Sequence, residues 1–502
     1  MGIRPPSIDE IMELGRGLSL DLSKSEAEQF QRLIADSLET YETLRTHGPQ
    51  VPETNRVETG RRSGSRPSPG ENPNNAWITR CEISEKTGGT LSGWRIAIKD
   101  NAAVAGVEMT CASRVVEGYT PDIDATVVSR LLDEGATIIG KTNMDDMAFT
   151  IRGYPSAFGP VYNPHDDDHL AGGSSGGSAV VVATGEADAA IGSDQGGSIR
   201  IPAAHCGVVG FKPTFGLVPY TGGVGLETGI DHFGPMTETV ADAAQVLTAI
   251  AGKDPNDARQ PPTVPSKEYG RHLDGELTDL SIGVLSEGFA HEELDGRVEE
   301  SVRGALDELS DAGATLREIS VPLHADAAAI HFACIAEGVY ASVQGEGLGH
   351  HHRSWYDEGW ADAFGKSRRL HADEFPPEVK NILLLGKFMS ESHHSTYYTR
   401  AMNLRSRLER KYNEALSDCD VLAMPTTLQT APQDVSEWDR ERRLHEPLVN
   451  LANTCAFNRT GHPALSVPVV PVDDLPVGLM LVGNHFDDET VLEAGTHVEG
   501  LV

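Results

Sequence analysis

Two segments rich in glycine and serine constrain the fold of this chain more than any other feature of its sequence. The first, residues 172–178, reads GGSSGGS, and the second, residues 194–200, reads DQGGSIR. A GGSSGG run alone is more often a flexible loop, but the second segment follows a strand-like run and begins a further helix. Glycine accepts positive φ angles and lets the backbone approach closely. We therefore expect a strand-to-helix turn whose N–H groups point to one place, as an oxyanion hole requires.

From residue 76 onward, short apolar runs alternate with amphipathic segments. The apolar runs predict strands at residues 95–98, 137–139, 189–191, 281–285 and 421–424. The other segments predict helices at residues 125–134, from 145 onward, at 178–184, at 293–312 and over most of 383–416. This alternation favours a largely buried sheet. Although 502 residues would ordinarily suggest about three domains, we predict one large α/β domain with a mixed central β-sheet covered by helices.

The N-terminal part of the chain has a different pattern. Ser7 and Ser23 each stand three residues before a glutamate, a capping-box pattern at two helix starts, and residues 7–46 have helical spacing. An apolar stripe on the second helix predicts a docking or dimer surface: Ala27, Phe30, Leu33, Ile34, Leu38, Tyr41 and Leu44. Residues 48–75 are rich in Pro, Gly, Arg, Ser and Asn, which is typical of a linker. The expected domains are a helical N-terminal extension with its linker, residues 1–75, and the α/β domain, residues 76–502.

Charge and composition exclude several classes of protein. The chain has 75 acidic and 41 basic residues, a formal net charge of −34, so its field repels the phosphate backbone of nucleic acids. No run approaches the roughly eighteen apolar residues of a transmembrane helix, and the N-terminus lacks a secretory-signal pattern. The six cysteines are scattered without a CxxC pair, which is typical of reduced thiols. We predict a cytoplasmic protein that binds neither nucleic acid nor membrane, and the scarcity of lysine beside so much acid favours adaptation to a salt-rich cytosol.

Lys99 follows a short buried strand and supplies a possible base for nucleophilic catalysis. Both glycine–serine segments lie in one long block, AGGSSGGSAVVVATGEADAAIGSDQGGSIRIPAAHCGVVGFKPT. Together these residues strongly resemble the amidase signature family. The resemblance covers the α/β part of the chain rather than the first 75 residues, in three stretches: residues 94–237, 421–427 and 457–468.

The resemblance implies an amidase-signature fold with a catalytic triad of Ser198 as nucleophile, Ser174 as bridging serine and Lys99 as base. It also implies a cis peptide bond between Gly173 and Ser174. Ser174 would pass the proton of Ser198 to Lys99 and later return it to the leaving ammonia or amine. Lys99 must then be neutral, so desolvation has to lower its pKa from about 10.4 to near neutrality.

Other positions in the matching block are expected to support the triad. The tetrahedral oxyanion would be held by the backbone N–H groups of Gln195, Gly196, Gly197 and Ser198. Ser175 would orient the bridging serine, while the side chains of Asp194 and Arg200 would brace the nucleophile loop by charge-assisted hydrogen bonds. Cys206, close to that loop but among apolar neighbours, is expected to pack in the core. The family implies no metal and no cofactor.

Three further stretches resemble the amidases found with nitrile hydratases: residues 216–221, 231–237 and 457–463. Those enzymes hydrolyse simple aliphatic and aromatic amides and are commonly dimers. The resemblance thus implies a homodimer that converts a small carboxamide to a carboxylate and ammonia. The alternative is the A subunit, the glutaminase, of a tRNA-dependent amidotransferase, which shares the triad but usually lacks an N-terminal extension.

Two other motifs compete with this interpretation. Residues 135–142 fit the phosphate-loop pattern GxxxxGK[ST], which alone would suggest a nucleotide-binding protein. In a true phosphate loop a strand precedes the glycines, whereas here a helix precedes them and a strand occupies the loop itself. Residues 350–352 with 393–394 form a histidine cluster whose spacing matches no zinc pattern, so we expect a solvated loop there.

Overall fold

The computed structural model describes residues 3–55, 57, 60–271, 273, 275–350, 352–445 and 448–501. By contacts the chain divides into two compact units, Met1–Pro52 and Glu53–Val502. In the described ranges, every helix is too short or too polar to cross a membrane.

The helices are α1 (Ile8–Gly17), α2 (Lys24–Arg45), α3 (Thr126–Asp133), α4 (Gly176–Ala183), α5 (Arg200–Cys206), α6 (Val240–Ile250), α7 (Gly296–Asp311), α8 (Ala327–Gln344), α9 (Glu358–His371), α10 (Pro377–His393), α11 (Thr396–Ala415), α12 (Arg440–His445), α13 (Cys455–Thr460) and α14 (Asp488–Glu499). The strands are β1 (Trp77–Ile83), β2 (Arg95–Lys99), β3 (Thr137–Thr142), β4 (Ala189–Asp194), β5 (Val209–Lys212), β6 (His232–Thr237), β7 (Ser281–Leu285), β8 (Thr315–Ile319), β9 (Val421–Pro425), β10 (Ala464–Val472) and β11 (Leu475–Val482).

The first unit contains the predicted helical extension as α1 and α2, which pack on each other. Both helices start with the predicted capping boxes. The Glu10 N–H donates to Ser7 Oγ at 3.2 Å and the Ser7 N–H donates back to the Glu10 carboxylate at 2.6 Å, and Ser23 is arranged in the same way. Of the apolar stripe on α2, Ala27 is buried, whereas four larger members are exposed: Phe30, Leu33, Tyr41 and Leu44.

Residues 53–75, predicted as part of the linker, fall within the second unit. The buried Asn55 donates from Nδ2 to the backbone oxygen of Asp124 at 2.9 Å. Arg61 donates to both carboxylate oxygens of Asp124, at 2.7 and 2.8 Å. These contacts hold the segment against the α/β part, so the compact unit begins at Glu53, earlier than the predicted boundary after residue 75.

The second unit is built on a mixed sheet of 11 strands, which confirms the predicted α/β class. The strand order is β1-β3-β2-β4-β6-β5-β10-β11-β9-β7-β8. Parallel pairing joins β2 to both β3 and β4, and β7 to both β8 and β9, while the other neighbours are antiparallel. Helices α4, α5, α7 and α14 pack on the sheet, so β4, β9 and β11 are buried along their whole length.

The predicted strands are confirmed, and several are longer than the apolar letters indicated. β4, for example, continues through polar residues as far as Asp194. The helix predicted over most of residues 383–416 is two helices, α10 and α11. They are separated at His394 and Ser395, whose φ angles of 56° and 52° lie in the left-handed region and interrupt the helix.

The helix predicted from residue 145 onward is wrong. The structure has a single 3-10 turn there, with Met147 at a left-handed φ of 50°. The cause is the buried carboxylate of Asp145, whose Oδ2 accepts the N–H groups of Arg152 at 3.0 Å and Gly153 at 3.3 Å. These bonds fold the chain back into a loop instead of continuing a helix.

The match of residues 135–142 to a phosphate loop does not indicate nucleotide binding, because residues 137–142 form β3, which pairs with β1 on one side and β2 on the other. Lys141 is fully buried, and its Nζ donates to Asp100 Oδ1 at 2.9 Å. Asp100 Oδ2 accepts the N–H and the hydroxyl of Thr110 at 2.9 and 2.6 Å. The lysine that would bind phosphate is thus half of an interior ion pair.

We predict that Lys141→Met lowers the free energy of unfolding by about 3–5 kcal/mol, because it leaves the Asp100 carboxylate buried without its cation. Denaturant titration in molar KCl measures the change. Lys366→Met is the matched control, since Lys366 pairs with Asp362 on the surface and its loss should cost about 1 kcal/mol or less. Equal losses in the two variants would contradict a structural role for the interior pair.

Candidate active site

The three residues of the expected triad come from separate segments that meet at one edge of the sheet. Lys99 ends β2, Ser174 lies just before α4, and Ser198 lies in the turn between β4 and α5. Lys99 Nζ donates to Ser174 Oγ at 2.8 Å and to the backbone oxygen of Ser193 at 3.2 Å. The Ser175 N–H donates to the backbone oxygen of Ser198 at 3.1 Å, which joins the two glycine–serine segments. The predicted residues are therefore brought together.

The convergence follows from the parallel pairing of β2 with β4, because the carboxyl ends of parallel neighbours meet at the same edge of a sheet. The glycines there are required by packing. A Cβ on Gly173 would overlap the carboxylate of Asp145, and a Cβ on Gly197, whose φ is 141°, would overlap the side chain of Thr454. The predicted cis peptide bond between Gly173 and Ser174 is present.

Lys99 is completely buried, and this burial lowers its pKa from 10.5 to about 7. The nearby carboxylates of Asp145 and Asp194 act in the opposite direction, because their negative charge favours the ammonium form. Desolvation is the larger effect. The amine is therefore able to accept a proton near neutral pH, as a base at this position must.

Asp194 organises the nucleophile turn through its carboxylate. Oδ2 accepts the N–H of Ile199 at 3.1 Å and Arg200 Nε at 3.0 Å, and Oδ1 accepts Arg200 Nη2 at 3.1 Å. Asn458 Nδ2 donates to the same carboxylate at 2.9 Å. Burial alone would raise the pKa of Asp194, but the Arg200 guanidinium holds it well below its usual range. The ion pair of Asp194 with Arg200 thus joins the end of β4 to the start of α5 across this turn.

The expected oxyanion hole needs one correction. The Gly197 N–H donates to Asp194 Oδ1 at 2.7 Å, so this group is already used in bracing the turn. In the described part of the chain, the backbone N–H groups of Gln195, Gly196 and Ser198 have no protein acceptor. These three remain as candidate oxyanion donors. Thr454 Oγ1 donates to the backbone oxygen of Gly196 at 2.6 Å and sets the orientation of that peptide.

Ser175 makes hydrogen bonds from the first glycine–serine segment to the end of β4. Its hydroxyl donates to the backbone oxygen of Ser193 at 3.0 Å and accepts the Ser193 N–H at 3.3 Å. It thereby fixes the segment that carries Ser174 against the end of β4. Cys206, also close to the turn, is buried in an apolar cluster with Val208, and burial raises the pKa of its thiol, as expected for a core residue.

Sequence reasoning missed three residues that shape the site. Asp145 lies next to Lys99 and Gly173, and burial raises its pKa to about 6. Asn458 and Thr454 reach the nucleophile turn from the far end of the chain. Only Asp145 carried a usable signal, because it is an acidic residue shortly after the predicted strand at residues 137–139, and the observed β3 runs parallel to the strand that ends at Lys99.

The predicted histidine cluster does not form a metal site in the part that the structure describes, where no group of three or more His, Cys, Asp and Glu side chains is arranged to hold a metal ion. His352 stacks on Tyr356 with ring centroids 4.1 Å apart, and His393 packs against Phe388. Residue 351 lies outside the described residues.

A family model described as Amidase matches residues 75–492 of this chain. The chain belongs to the amidase family. It is therefore an enzyme of a family of hydrolases that act on carbon–nitrogen amide bonds, and the resemblance found in the sequence is confirmed. The amidase-family match begins at residue 75, close to the start of β1, and includes every segment of the site described above.

Two curated relatives of this amidase-family chain represent two kinds of protein. An enantioselective amidase of Rhodococcus rhodochrous is 39% identical over 496 residues, 98% of this chain and 95% of that protein. The A subunit of the glutamyl-tRNA(Gln) amidotransferase of Haloarcula marismortui is 40% identical over 429 residues, 84% of this chain and 98% of that protein.

Solved structures confirm the amidase-family fold. The A subunit of the glutamyl-tRNA(Gln) amidotransferase of Thermotoga maritima is 33% identical with a TM-score of 0.69, covering 84% of this chain and 86% of that one. The native peptide amidase of Stenotrophomonas maltophilia is 30% identical with a TM-score of 0.65, covering 82% and 83% of the two chains.

We predict that Asp194→Asn lowers kcat/KM by at least about 100-fold, because it weakens the bonds that shape the nucleophile turn and leaves Arg200 buried without a counter-charge. Initial rates on a simple amide, with unfolding measured in parallel, test this. Asp188→Asn is the control. Asp188 pairs with Arg95 at the partly exposed other end of β2 and β4, and its loss should leave kcat/KM within about twofold. A fully active Asp194→Asn variant would contradict the bracing role.

Proposed function

We propose that this protein is an amidase that hydrolyses a carboxamide to a carboxylate and ammonia through an acyl-enzyme on Ser198. The observation that carries the proposal is the 2.8 Å hydrogen bond between Lys99 Nζ and Ser174 Oγ in a buried site, with the pKa of Lys99 near 7. A neutral amine bonded to a buried serine hydroxyl is a proton relay. Ser198 lies in the adjoining turn, where the backbone N–H groups of Gln195, Gly196 and Ser198 have no acceptor among the described residues.

In the proposed reaction, Ser174 transfers protons between Lys99 and the reacting groups. Ser198 Oγ attacks the amide carbon while its proton passes to Ser174, whose own proton passes to Lys99. The tetrahedral intermediate carries a negative oxygen, which the N–H groups of Gln195, Gly196 and Ser198 stabilise. When the carbon–nitrogen bond breaks, Ser174 protonates the leaving nitrogen and recovers a proton from Lys99. Water then attacks the ester by the same relay, and the carboxylate leaves.

The alternative function is that of the amidotransferase A subunit, which acts with partner subunits. One observation favours the free-standing amidase. The alignment with the Rhodococcus amidase covers 98% of this chain, whereas the alignment with the Haloarcula protein covers 84% of this chain and 98% of that protein. Much of the difference corresponds in length to the first unit of 52 residues, which supports an enzyme built on the amidase plan.

Ammonia release by the purified single chain tests the proposal. The assay offers propionamide, benzamide and glutamine in molar KCl without ATP or tRNA. We expect release from at least one simple amide and a loss of about 10³-fold or more in Ser198→Ala, because the nucleophile is removed while the fold is kept. Ser342→Ala, in α8 and outside the triad, is the matched control and should retain full activity. Turnover of glutamine alone, and only with partner subunits, would instead establish the amidotransferase function.

The pH dependence of kcat/KM should follow the protonation of Lys99. The active form is the neutral amine, so activity should fall about tenfold per pH unit below a midpoint near 7 and level off above it. Asp145→Asn removes a carboxylate that raises the pKa of Lys99, and should move this midpoint to lower pH. Rates from pH 5 to 9 test both expectations. A midpoint that does not move in Asp145→Asn would contradict the assignment of the limb to Lys99.

We also propose that the enzyme is a cytoplasmic homodimer adapted to high salt. The excess of 75 acidic over 41 basic residues supports salt adaptation. The exposed apolar side chains of α2, which include Leu33, Tyr41 and Leu44, support association, because monomers rarely expose a large contiguous apolar patch. Light scattering in molar KCl would distinguish a dimer from a monomer.

A further inference from the structure

His331, in α8, borders the nucleophile turn although the proposed mechanism does not use it. Its Nε2 lies 3.1 Å from the position that a Cβ on Gly196 would occupy, and Leu451 Cδ1 lies 2.8 Å from the same position. The histidine is 5% exposed. One side of the candidate oxyanion turn thus faces an imidazole nitrogen and an apolar methyl group.

Arg459 determines which nitrogen of His331 carries the hydrogen. Arg459 Nε donates to His331 Nδ1 at 3.3 Å, and Arg459 Nη2 donates to the backbone oxygen of His331 at 3.4 Å. A guanidinium can only donate, so Nδ1 must accept through its lone pair. The imidazole is therefore neutral with its hydrogen on Nε2, the nitrogen that faces Gly196. Burial and the charge of Arg459 both lower the pKa of His331, in agreement with this assignment.

Glu227 holds the arginine in turn. Arg459 Nη1 lies 2.8 Å from Glu227 Oε2, and their side chains are 1% and 11% exposed. The carboxylate compensates the buried guanidinium, which would otherwise be costly to desolvate. Glu227 therefore holds Arg459 in place, and Arg459 holds His331 with its hydrogen on Nε2. Among the described residues, no acceptor forms a hydrogen bond with this Nε2–H.

We propose that His331 Nε2–H donates a hydrogen bond to an acceptor atom in the acyl group of the amide substrate. The enzyme would then prefer carboxamides whose acyl chain carries an ether, hydroxyl or ring nitrogen close to the carbonyl over their hydrocarbon analogues. Leu451 gives the apolar part of the same acyl group its contact. This inference rests on the proposed amidase function and names its substrate class. When the bound acyl group excludes water from this donor, the donor enforces such a preference, because an analogue without the acceptor leaves it unpaired.

Methoxyacetamide and butyramide test the proposal, because they have the same chain length and differ by an ether oxygen in place of a methylene. The measured quantity is the ratio of their kcat/KM values in the wild type, His331→Met and His331→Gln. His331→Met removes the donor and should lower the preference for methoxyacetamide by roughly three- to tenfold. His331→Gln keeps an amide N–H of similar reach and should retain most of the preference. The intrinsic reactivity of the two amides cancels between enzyme forms.

The outcomes separate this inference from the proposed function. A ratio that His331→Met leaves unchanged would overturn the inference, even if both amides are hydrolysed. Equal losses on both amides in both variants would also overturn it, because they would show that His331 only supports the fold. His393→Met, which changes a surface histidine on α10, should leave the ratio as in the wild type. A wild-type enzyme that hydrolyses no amide at all would overturn the proposed function itself.

Discussion

The proposed chemistry depends on removing the amino group of Lys99 from water. Parallel pairing of β2 with β4 places this side chain at a sheet edge closed by packed loops and helices, and burial lowers its pKa to about 7. Asp145 and Asp194 oppose this effect only in part. The charge of Asp194 is compensated by Arg200, and burial raises the pKa of Asp145 to about 6. Carboxylates can therefore lie near Lys99 in the interior without keeping its amine protonated at neutral pH.

The acidic surface and the buried site respond to salt on different scales. At molar ionic strength the screening length is about 3 Å, so exposed acids cease to act on one another across the surface. Lys99, Asp145 and Asp194 are shielded from ions by burial and keep their mutual interactions. A chain with a net charge of −34 can consequently change its surface composition for salt without changing the pKa of Lys99.

Much of the fold and the contiguous part of the site could be predicted from the sequence, because strands, capping boxes and glycine turns are local signals. Lys99, Ser174 and Ser198 lie in such local patterns, but their roles were implied by the resemblance to the amidase signature family. The features that could not be predicted depend on contacts between distant segments, or on the direction in which a single backbone N–H group points. Whether the Gly197 N–H faces substrate or Asp194 is decided by how the turn closes. Residues 53–75 have a linker-like composition, so their sequence does not indicate that an arginine of this segment pairs with the α/β domain.

The brace on the nucleophile turn comes from residues made much later in translation. Asn458 bonds to Asp194 and Thr454 bonds to Gly196, contacts that span 264 and 258 positions of the chain. β10, which follows them, pairs with β5 in the middle of the sheet. At roughly 5–20 residues per second, tens of seconds separate synthesis of the turn from synthesis of its brace. A nascent chain thus carries Ser198 long before it has the residues that shape the turn around it, and a product truncated before residue 454 would lack that brace.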